Sequence, residues 1–203
     1  MPRLQLDTPV GRAEAELDPV RGADLLLVLG HGSGGSVEAP DLLSVRTAAV
    51  EAGIAVARVT QPYRVLGRKA PPSAASLDAA WAAVVAALTR RPGLRSTRLV
   101  FGGRSAGARV ACRGAAAADP ARRPVAVVAL AFPLHPPGKP DKSRLPELAA
   151  VPVPTLVVQG RSDPFGQPPA GAGRTVLLVE GDHSLKRSAA EVGPRVVEWL
   201  SRL

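Results

Sequence analysis

The stretch that decides the fold is residues 98–113, RLVFGGRSAGARVACR. A short apolar run ends in Gly102 and Gly103, and a serine follows at Ser105, with Gly107 two positions further on. This is the G-x-S-x-G pattern of a nucleophile elbow, a sharp turn from a strand into a helix that exposes the serine hydroxyl. Side chains two positions before and after the serine would collide in such a turn, so both positions are glycine. An ordinary glycine-rich turn between a strand and a helix is the alternative interpretation.

Apolar runs on both sides of this stretch predict further strands, at 23–30, 54–60, 125–132, 155–160 and 175–180. They are nearly continuous in Val, Leu and Ile, which is typical of parallel strands covered on both faces. Helical patterns alternate with them, at 40–53, 73–91, 105–119 and 188–203, and residues 1–20 suit an antiparallel hairpin at the sheet edge. The sequence therefore predicts a three-layer α/β fold with a mostly parallel sheet of about seven to eight strands. We expect one domain over residues 1–203.

A serine hydroxyl becomes a nucleophile only when a base accepts its proton and a carboxylate orients that base. In proteins with this elbow, the serine is followed along the chain first by the acid and then by the histidine. Asp163 comes just after the strand at 155–160, and His183 comes just after the strand at 175–180. The carboxyl ends of parallel strands share one edge of a sheet. We therefore predict Ser105 as nucleophile, Asp163 as acid and His183 as base.

For Asp163 the alternative role is that of an ordinary turn residue, because it precedes a proline and Asp-Pro pairs often form simple turns. Asp182 is adjacent to His183 and cannot easily face the same imidazole nitrogen, so we expect it to shape the loop.

The glycine-rich loop at 30–35, GHGSGG, follows the first long strand. Its backbone N–H groups can form an oxyanion hole, for which we predict the N–H of Ser33 together with that of Ala106, and Gly32 as a further candidate. The loop also matches the G-x-G-x-x-G fingerprint of dinucleotide-binding proteins. That interpretation is weaker because Pro40 would fall inside the required helix, and no acidic residue follows the next strand.

Composition limits the other classes of function. The chain has 203 residues, 26 basic against 17 acidic side chains and a formal net charge of +9. The basic residues are almost all arginine and occur throughout the chain, while only 3% of residues are aromatic, so nucleic-acid binding is disfavoured. Cys112 is the only cysteine, so an intramolecular disulfide is ruled out, and we expect this residue in the core. We expect a cytoplasmic protein without membrane association, because no secretory signal or apolar span is present. We expect no cofactor and no bound metal.

Several residues near the predicted strand ends are candidates for a substrate pocket: His31, Tyr63, Arg68, Arg104 and His135. Arg68 and Arg104, together with Lys69 and Lys139, could form a basic rim and favour an anionic substrate. The short, proline-rich segment between the strands at 125–132 and 155–160 leaves no room for a lid domain. We therefore expect a shallow, open site.

The segments HGSGG, GGRSAGAR, FPLHPPGKP, QGRSDPFG and GDHSL together resemble a family of small predicted α/β-hydrolases. This family includes testis-expressed hydrolase-like proteins and lies near the dienelactone-hydrolase-like group. QPYRVLGRKAPP at 61–72 is similar to the family's aromatic-then-basic loop. The resemblance implies the same triad, Ser105, Asp163 and His183. One departure is the alanine pair around Gly107, Ala106 and Ala108, where the family usually has Met-Gly-Gly.

These observations predict a serine hydrolase that cleaves a small ester or thioester through an acyl-enzyme on Ser105. The alternative is a protein of another functional class, which has the α/β-hydrolase fold but serves as an interaction scaffold without catalysis. The sequence does not define an oligomeric state.

Overall fold

A computed structural model describes residues 3–203 of the chain. Its strands are β1 (Arg3–Thr8), β2 (Gly11–Asp18), β3 (Leu25–Gly30), β4 (Ala55–Thr60), β5 (Arg98–Arg104), β6 (Ala126–Leu130), β7 (Thr155–Gly160) and β8 (Arg174–Val179). Its α-helices are α1 (Pro40–Glu51), α2 (Pro62–Val65), α3 (Ala74–Thr89), α4 (Ala106–Ala117), α5 (Leu145–Ala149) and α6 (Ala189–Leu200), and a 3-10 helix spans Pro120–Arg122.

The eight strands form one sheet in the order β1-β2-β4-β3-β5-β6-β7-β8. β1 and β2 pair antiparallel with each other, and β2 pairs antiparallel with β4, whereas the remaining neighbours are all parallel. The predicted hairpin and the mostly parallel sheet are both confirmed. The register brings Gly30 beside Gly103 and Arg104 beside Leu130, so the carboxyl ends of β3, β5 and β6 meet at one edge.

Helices cover both faces of the sheet, as expected for strands that are apolar on both sides. One core contains residues of α3 and α4, such as Trp81 and Val110, and the other contains residues of α1 and α6, such as Val45 and Val196. Cys112 is fully buried in the first core, and burial raises the pKa of its thiol to about 12.

Pro194 lies inside α6, five residues after the helix begins at Ala189. The preceding residue, Gly193, donates its N–H to the Ser44 hydroxyl on α1 at 3.0 Å. A Cβ at Gly193 would collide with the Ser44 carbonyl, so the glycine allows α6 to pack closely against α1.

The segment between β6 and β7 contains only the five-residue α5. A segment this short agrees with the expectation that the fold has no lid domain.

Candidate active site

Ser105 stands between β5 and α4 with φ 52° and ψ −111°. A positive φ is uncommon for a residue with a side chain and marks local strain. The Ser105 N–H donates to the Leu130 carbonyl of β6 at 2.9 Å, which holds the turn against the neighbouring strand. This strand–turn–helix geometry is the one that the elbow pattern predicts.

The flanking glycines allow two backbones to approach. A Cβ at Gly103 would lie 2.7 Å from both the Gly107 carbonyl carbon and the Gly30 carbonyl oxygen. A Cβ at Gly107 would collide with the Gly30 carbonyl. The start of α4 therefore packs directly on the end of β3, and this brings the loop after β3 beside the serine.

A continuous chain of hydrogen bonds joins the three side chains that the sequence singled out. His183 Nε2 lies 2.9 Å from Ser105 Oγ, and His183 Nδ1 lies 2.8 Å from Asp163 Oδ2. Asp163 follows β7 and His183 follows β8, so both lie at the carboxyl edge of the sheet. The Asp163 side chain is fully buried, and the His183 side chain is 18% exposed.

The Asp163 carboxylate is fixed by two donors besides His183. The Gln159 side-chain amide donates to Asp163 Oδ2 at 2.7 Å, and the Phe165 N–H donates to Oδ1 at 2.8 Å. The same amide nitrogen also lies within hydrogen-bond distance of the Phe132 and Gly166 carbonyls. Because all three partners are acceptors, the amide nitrogen must face them. Gln159 thereby holds the loop at 161–166, here called the acid loop, against the segment just after β6.

The loop that carries His183 packs on the end of β7. A Cβ at Gly160 would lie 2.5 Å from the Asp182 carbonyl oxygen. Asp182 does shape this loop, because its carboxylate accepts hydrogen bonds from the Ser184 N–H and hydroxyl at 2.9 and 2.6 Å. These bonds lower the pKa of Asp182.

Phe165 belongs to the acid loop, and a second histidine, His135, packs against this loop from the segment after β6. The Phe165 ring stacks on the His183 imidazole, with centroids 4.1 Å apart. The Phe165 carbonyl accepts from the His135 N–H at 3.0 Å, and the His135 ring packs over Gly166. His135, predicted as a pocket residue, therefore contacts the acid loop.

His31, also predicted in the pocket, is instead a buried support of the glycine loop. The residue is 3% exposed, and its Nε2 accepts from the Gln61 N–H at 3.1 Å. Nδ1 must then carry the proton, and it donates to the Gly32 carbonyl at 2.8 Å. Burial lowers the pKa of His31, which favours this neutral form. Both ring nitrogens are engaged by backbone and are not available to a substrate.

Tyr63 supports the same loop. Its ring is 6% exposed, and its hydroxyl donates to the Ser33 carbonyl at 2.8 Å. Burial raises the pKa of this phenol. A methyl group built on Gly32 would lie 3.6 Å from Ser105 Cβ, which places the loop directly beside the serine. α1 begins only at Pro40, after the loop, whereas a dinucleotide fingerprint requires a helix that opens within the glycines.

Arg104, the residue before the serine, points into the protein rather than forming an open rim. Its side chain is 17% exposed, and Nε lies 3.1 Å from Oδ2 of the fully buried Asp41. Its Nη2 donates to the His183 carbonyl at 3.1 Å. The Arg104 charge is therefore balanced by a carboxylate of the protein. Of the other predicted rim residues, Arg68, Lys69 and Lys139 are exposed.

Sequence reasoning missed Gln159, Asp41 and Phe165. Gln159 carried a usable signal, because it is the one strongly polar side chain in the apolar run TLVVQG just before the acid. Asp41 and Phe165 carried no signal of function in the sequence, because an acid in the first turn of a helix and an aromatic residue in a loop are both common.

An eight-stranded, mostly parallel sheet with a serine elbow after its fifth strand is the architecture of the α/β hydrolases. Residues 23–193 match the family model described as "Alpha/beta hydrolase domain", and the chain belongs to this family.

Solved structures share the fold over almost the whole chain. One is XC6422 from Xanthomonas campestris, described as an α/β serine hydrolase without a lid, with 22% identity, a TM-score of 0.77 and coverage of 99% of this chain and 94% of that one. Another is dienelactone hydrolase from Anabaena variabilis, with 18% identity, a TM-score of 0.77 and coverage of 99% and 96%. Est1E from Butyrivibrio proteoclasticus has 16% identity, a TM-score of 0.74 and coverage of 99% and 100%.

No curated protein sequence matches this chain. Within residues 3–203, no helix is both long and apolar enough to cross a membrane.

Proposed function

We propose that the protein is a serine hydrolase that cleaves a small ester or thioester, with Ser105 as nucleophile, His183 as base and Asp163 as the orienting acid. The observation that carries this proposal is the hydrogen-bonded chain Ser105 Oγ–His183 Nε2–His183 Nδ1–Asp163 Oδ2, with distances of 2.9 and 2.8 Å. A base must lie within about 2.6–3.2 Å of the proton donor it activates. The elbow strain at Ser105 adds support, because strained residues concentrate at functional sites.

The first half of the reaction forms the acyl-enzyme. His183 Nε2 takes the Ser105 proton as Oγ attacks the carbonyl carbon, and the carbonyl oxygen becomes an oxyanion. The C–O or C–S bond then breaks, and His183 returns the proton to the departing alcohol or thiol. Asp163 remains ionised and stabilises the imidazolium.

The second half returns the enzyme to its starting state. Water enters, gives a proton to His183 and attacks the acyl carbon. Collapse of the second oxyanion releases the carboxylic acid and restores the Ser105 hydroxyl with the proton from His183.

For the oxyanion hole we propose the N–H groups of Ala106 and Ser33, with Gly32 as a further donor. Ala106 opens α4, and the first N–H groups of a helix have no partner within it. The Gly32 carbonyl accepts from both His31 Nδ1 and the Gly35 N–H. In a planar trans peptide the N–H points opposite to the carbonyl, so the Ser33 N–H faces away from those two donors. Each oxyanion donor typically contributes about 10²–10³-fold in rate.

The charge of the substrate is a separate part of the proposal. Arg68, Lys69 and Lys139 are exposed, and they favour a small anionic substrate over a neutral one. KM for an anionic ester should then rise between about 0.05 and about 0.5 M salt, while KM for its neutral analogue stays constant. Equal salt responses of the two esters would contradict an anionic preference.

A fluorophosphonate probe tests the mechanism, with intact mass as the readout. Wild type should gain one probe mass, whereas Ser105→Ala and His183→Ala should not. Ser201→Ala removes a hydroxyl that donates to the Glu198 carbonyl at the end of α6; it is the control and should label like wild type. Absence of labelling in folded wild type would overturn the hydrolase proposal and favour an interaction scaffold.

A further inference from the structure

The Arg104 guanidinium touches three separate parts of the site. Nε pairs with Asp41 at the first turn of α1, Nη2 donates to the backbone carbonyl of His183, and Nη1 lies against the glycine loop. A methyl group on Gly32 would be only 3.1 Å from Nη1. The backbone of Arg104 also leads directly into Ser105. One side chain therefore connects the nucleophile, the base loop and the oxyanion loop.

Asp41 is the anchor of this arrangement. Its side chain is completely buried, and Arg104 Nε lies 3.1 Å from Oδ2. Burial raises the pKa of Asp41, and the Arg104 charge opposes that rise. A buried carboxylate is unfavourable unless a partner compensates its charge, so Asp41 fixes where the guanidinium must lie.

Only arginine can make this set of contacts. The guanidinium is planar and presents N–H groups in several fixed directions, whereas the lysine ammonium is a single point on a flexible stem. A lysine at position 104 could keep the charge near Asp41 but could not also reach the His183 carbonyl and fill the space beside Gly32.

We infer that Asp41 and Arg104 form a positioning pair that sets the His183 loop and the Gly32 loop relative to Ser105. The inference rests on the proposed function. Neither side chain contacts the reacting atoms, since Arg104 reaches His183 only through its backbone carbonyl. The pair acts on the rate of the chemical step and not on the capture of an anionic substrate, because the Arg104 charge already belongs to Asp41.

The test compares four variants with wild type: Arg104→Gln, Arg104→Lys, Asp41→Asn and the double variant Asp41→Asn/Arg104→Gln. The double variant removes both charges and leaves no buried ion alone, so it is expected to fold even if a single variant does not. The control is Asp78→Asn/Arg113→Gln, away from the His183 loop, whose arginine is similarly buried at 20% exposed and pairs with Asp78 at 2.7 Å and with Glu147 at 3.2 Å.

The measurements are kcat and KM for a short ester, the rate of fluorophosphonate labelling, the melting temperature, and the downfield proton resonance of the His183–Asp163 hydrogen bond. A misplacement of about 1 Å in an active site can lower the rate about 10²-fold. We expect the double variant to lose between about 10- and 10²-fold in kcat and in labelling rate, with KM within about threefold. Its downfield resonance should broaden, and Arg104→Lys should recover only part of the rate.

The outcomes separate the inference from the proposed function. If wild type neither labels nor hydrolyses esters, the proposed function fails. If wild type is active and the folded double variant keeps its kcat and its resonance, the positioning pair is overturned. Equal loss of kcat in the control at an equal loss of melting temperature would also overturn it, since the effect would then be one of stability alone.

Discussion

The ring of Phe165 stacks on the imidazole of His183 with centroids 4.1 Å apart and planes inclined by 30°. Phe165 lies only two residues after Asp163, and its N–H donates to that carboxylate. The acid loop therefore restrains the proposed base twice, through the Asp163 hydrogen bond and through the face of an aromatic ring.

Replacing Phe165 by leucine should lower kcat about 3- to 10-fold, because an aromatic pair contributes about 0.5–1.5 kcal/mol beyond the area it buries. Steady-state kinetics on a short ester measures this effect. Phe165→Tyr keeps the ring and should retain the wild-type kcat. The stacking has no role in catalysis if the leucine and tyrosine variants turn over equally fast.

Gln159→Glu should impair the site more severely, because it places a second carboxyl group 2.7 Å from Asp163 Oδ2 in a buried position. Two adjacent carboxylates cannot both ionise easily, so the pKa of the introduced group rises. Its contribution to stability is then complete below its unfolded pKa of about 4.3 and is lost as pH rises through its folded pKa.

Urea unfolding at a series of pH values measures this difference. The deficit of Gln159→Glu in free energy of unfolding, relative to wild type, should be smallest near about pH 4 and should grow towards neutral pH. Gln159→Met introduces no carboxyl group, so its difference from wild type should change less over this range than that of the glutamate variant. Equal changes with pH in the two variants would contradict the predicted repulsion.

His31 should make stability depend on pH in the opposite sense. Its folded pKa lies below the unfolded value of about 6.5 because the ring is buried. The stability it contributes is present above about pH 6.5 and is lost as pH falls through the folded pKa, where the ring must be protonated while Nε2 accepts from Gln61. Between about pH 7 and about pH 5, the free energy of unfolding of wild type should fall by this contribution, whereas that of His31→Gln should not.

Gly107→Ala should destabilise the protein by about 1–3 kcal/mol, the usual effect of overfilling a packed contact. The added methyl group would collide with the Gly30 and His31 carbonyls, which separates α4 from the end of β3. Chemical denaturation measures the change. Gly34→Ala is the matched control for stability, because nothing lies within 4 Å of a Cβ at that position and its φ is not positive. Equal stabilities of the two variants would show that the close approach of α4 and β3 has no energetic role.

The sequence predicted those parts of the fold that short-range patterns encode. Runs of Val and Leu in TLVVQG and VAVVALAF indicate strands because both of their faces are buried, and Gly103 and Gly107 indicate the elbow because only glycine fits there. The neighbourhood of Ser105, Asp163 and His183 followed from one further fact, that each comes just after a strand of a parallel sheet.

The supporting contacts could not be predicted in this way, because they join residues that are distant along the chain. Nothing in the sequence around Arg104 indicates that its partner is Asp41, and an arginine beside a nucleophile suggests an exposed rim. The same applies to His31, whose ring is fixed by Gln61 on the segment after β4. Whether such a side chain faces substrate or backbone depends on packing that only the three-dimensional structure defines.

The position of His183 between β8 and α6 has a consequence for synthesis on the ribosome. Of the strands in residues 3–203, β8 is made last and pairs with β7, so a nascent chain that ends before His183 lacks its base even if the elbow has folded. On the proposed mechanism, Ser105 stays unreactive until β8 has left the exit tunnel and added itself to the sheet. The order of elements along the chain therefore makes a reactive serine depend on the synthesis of β8 and of the loop that follows it.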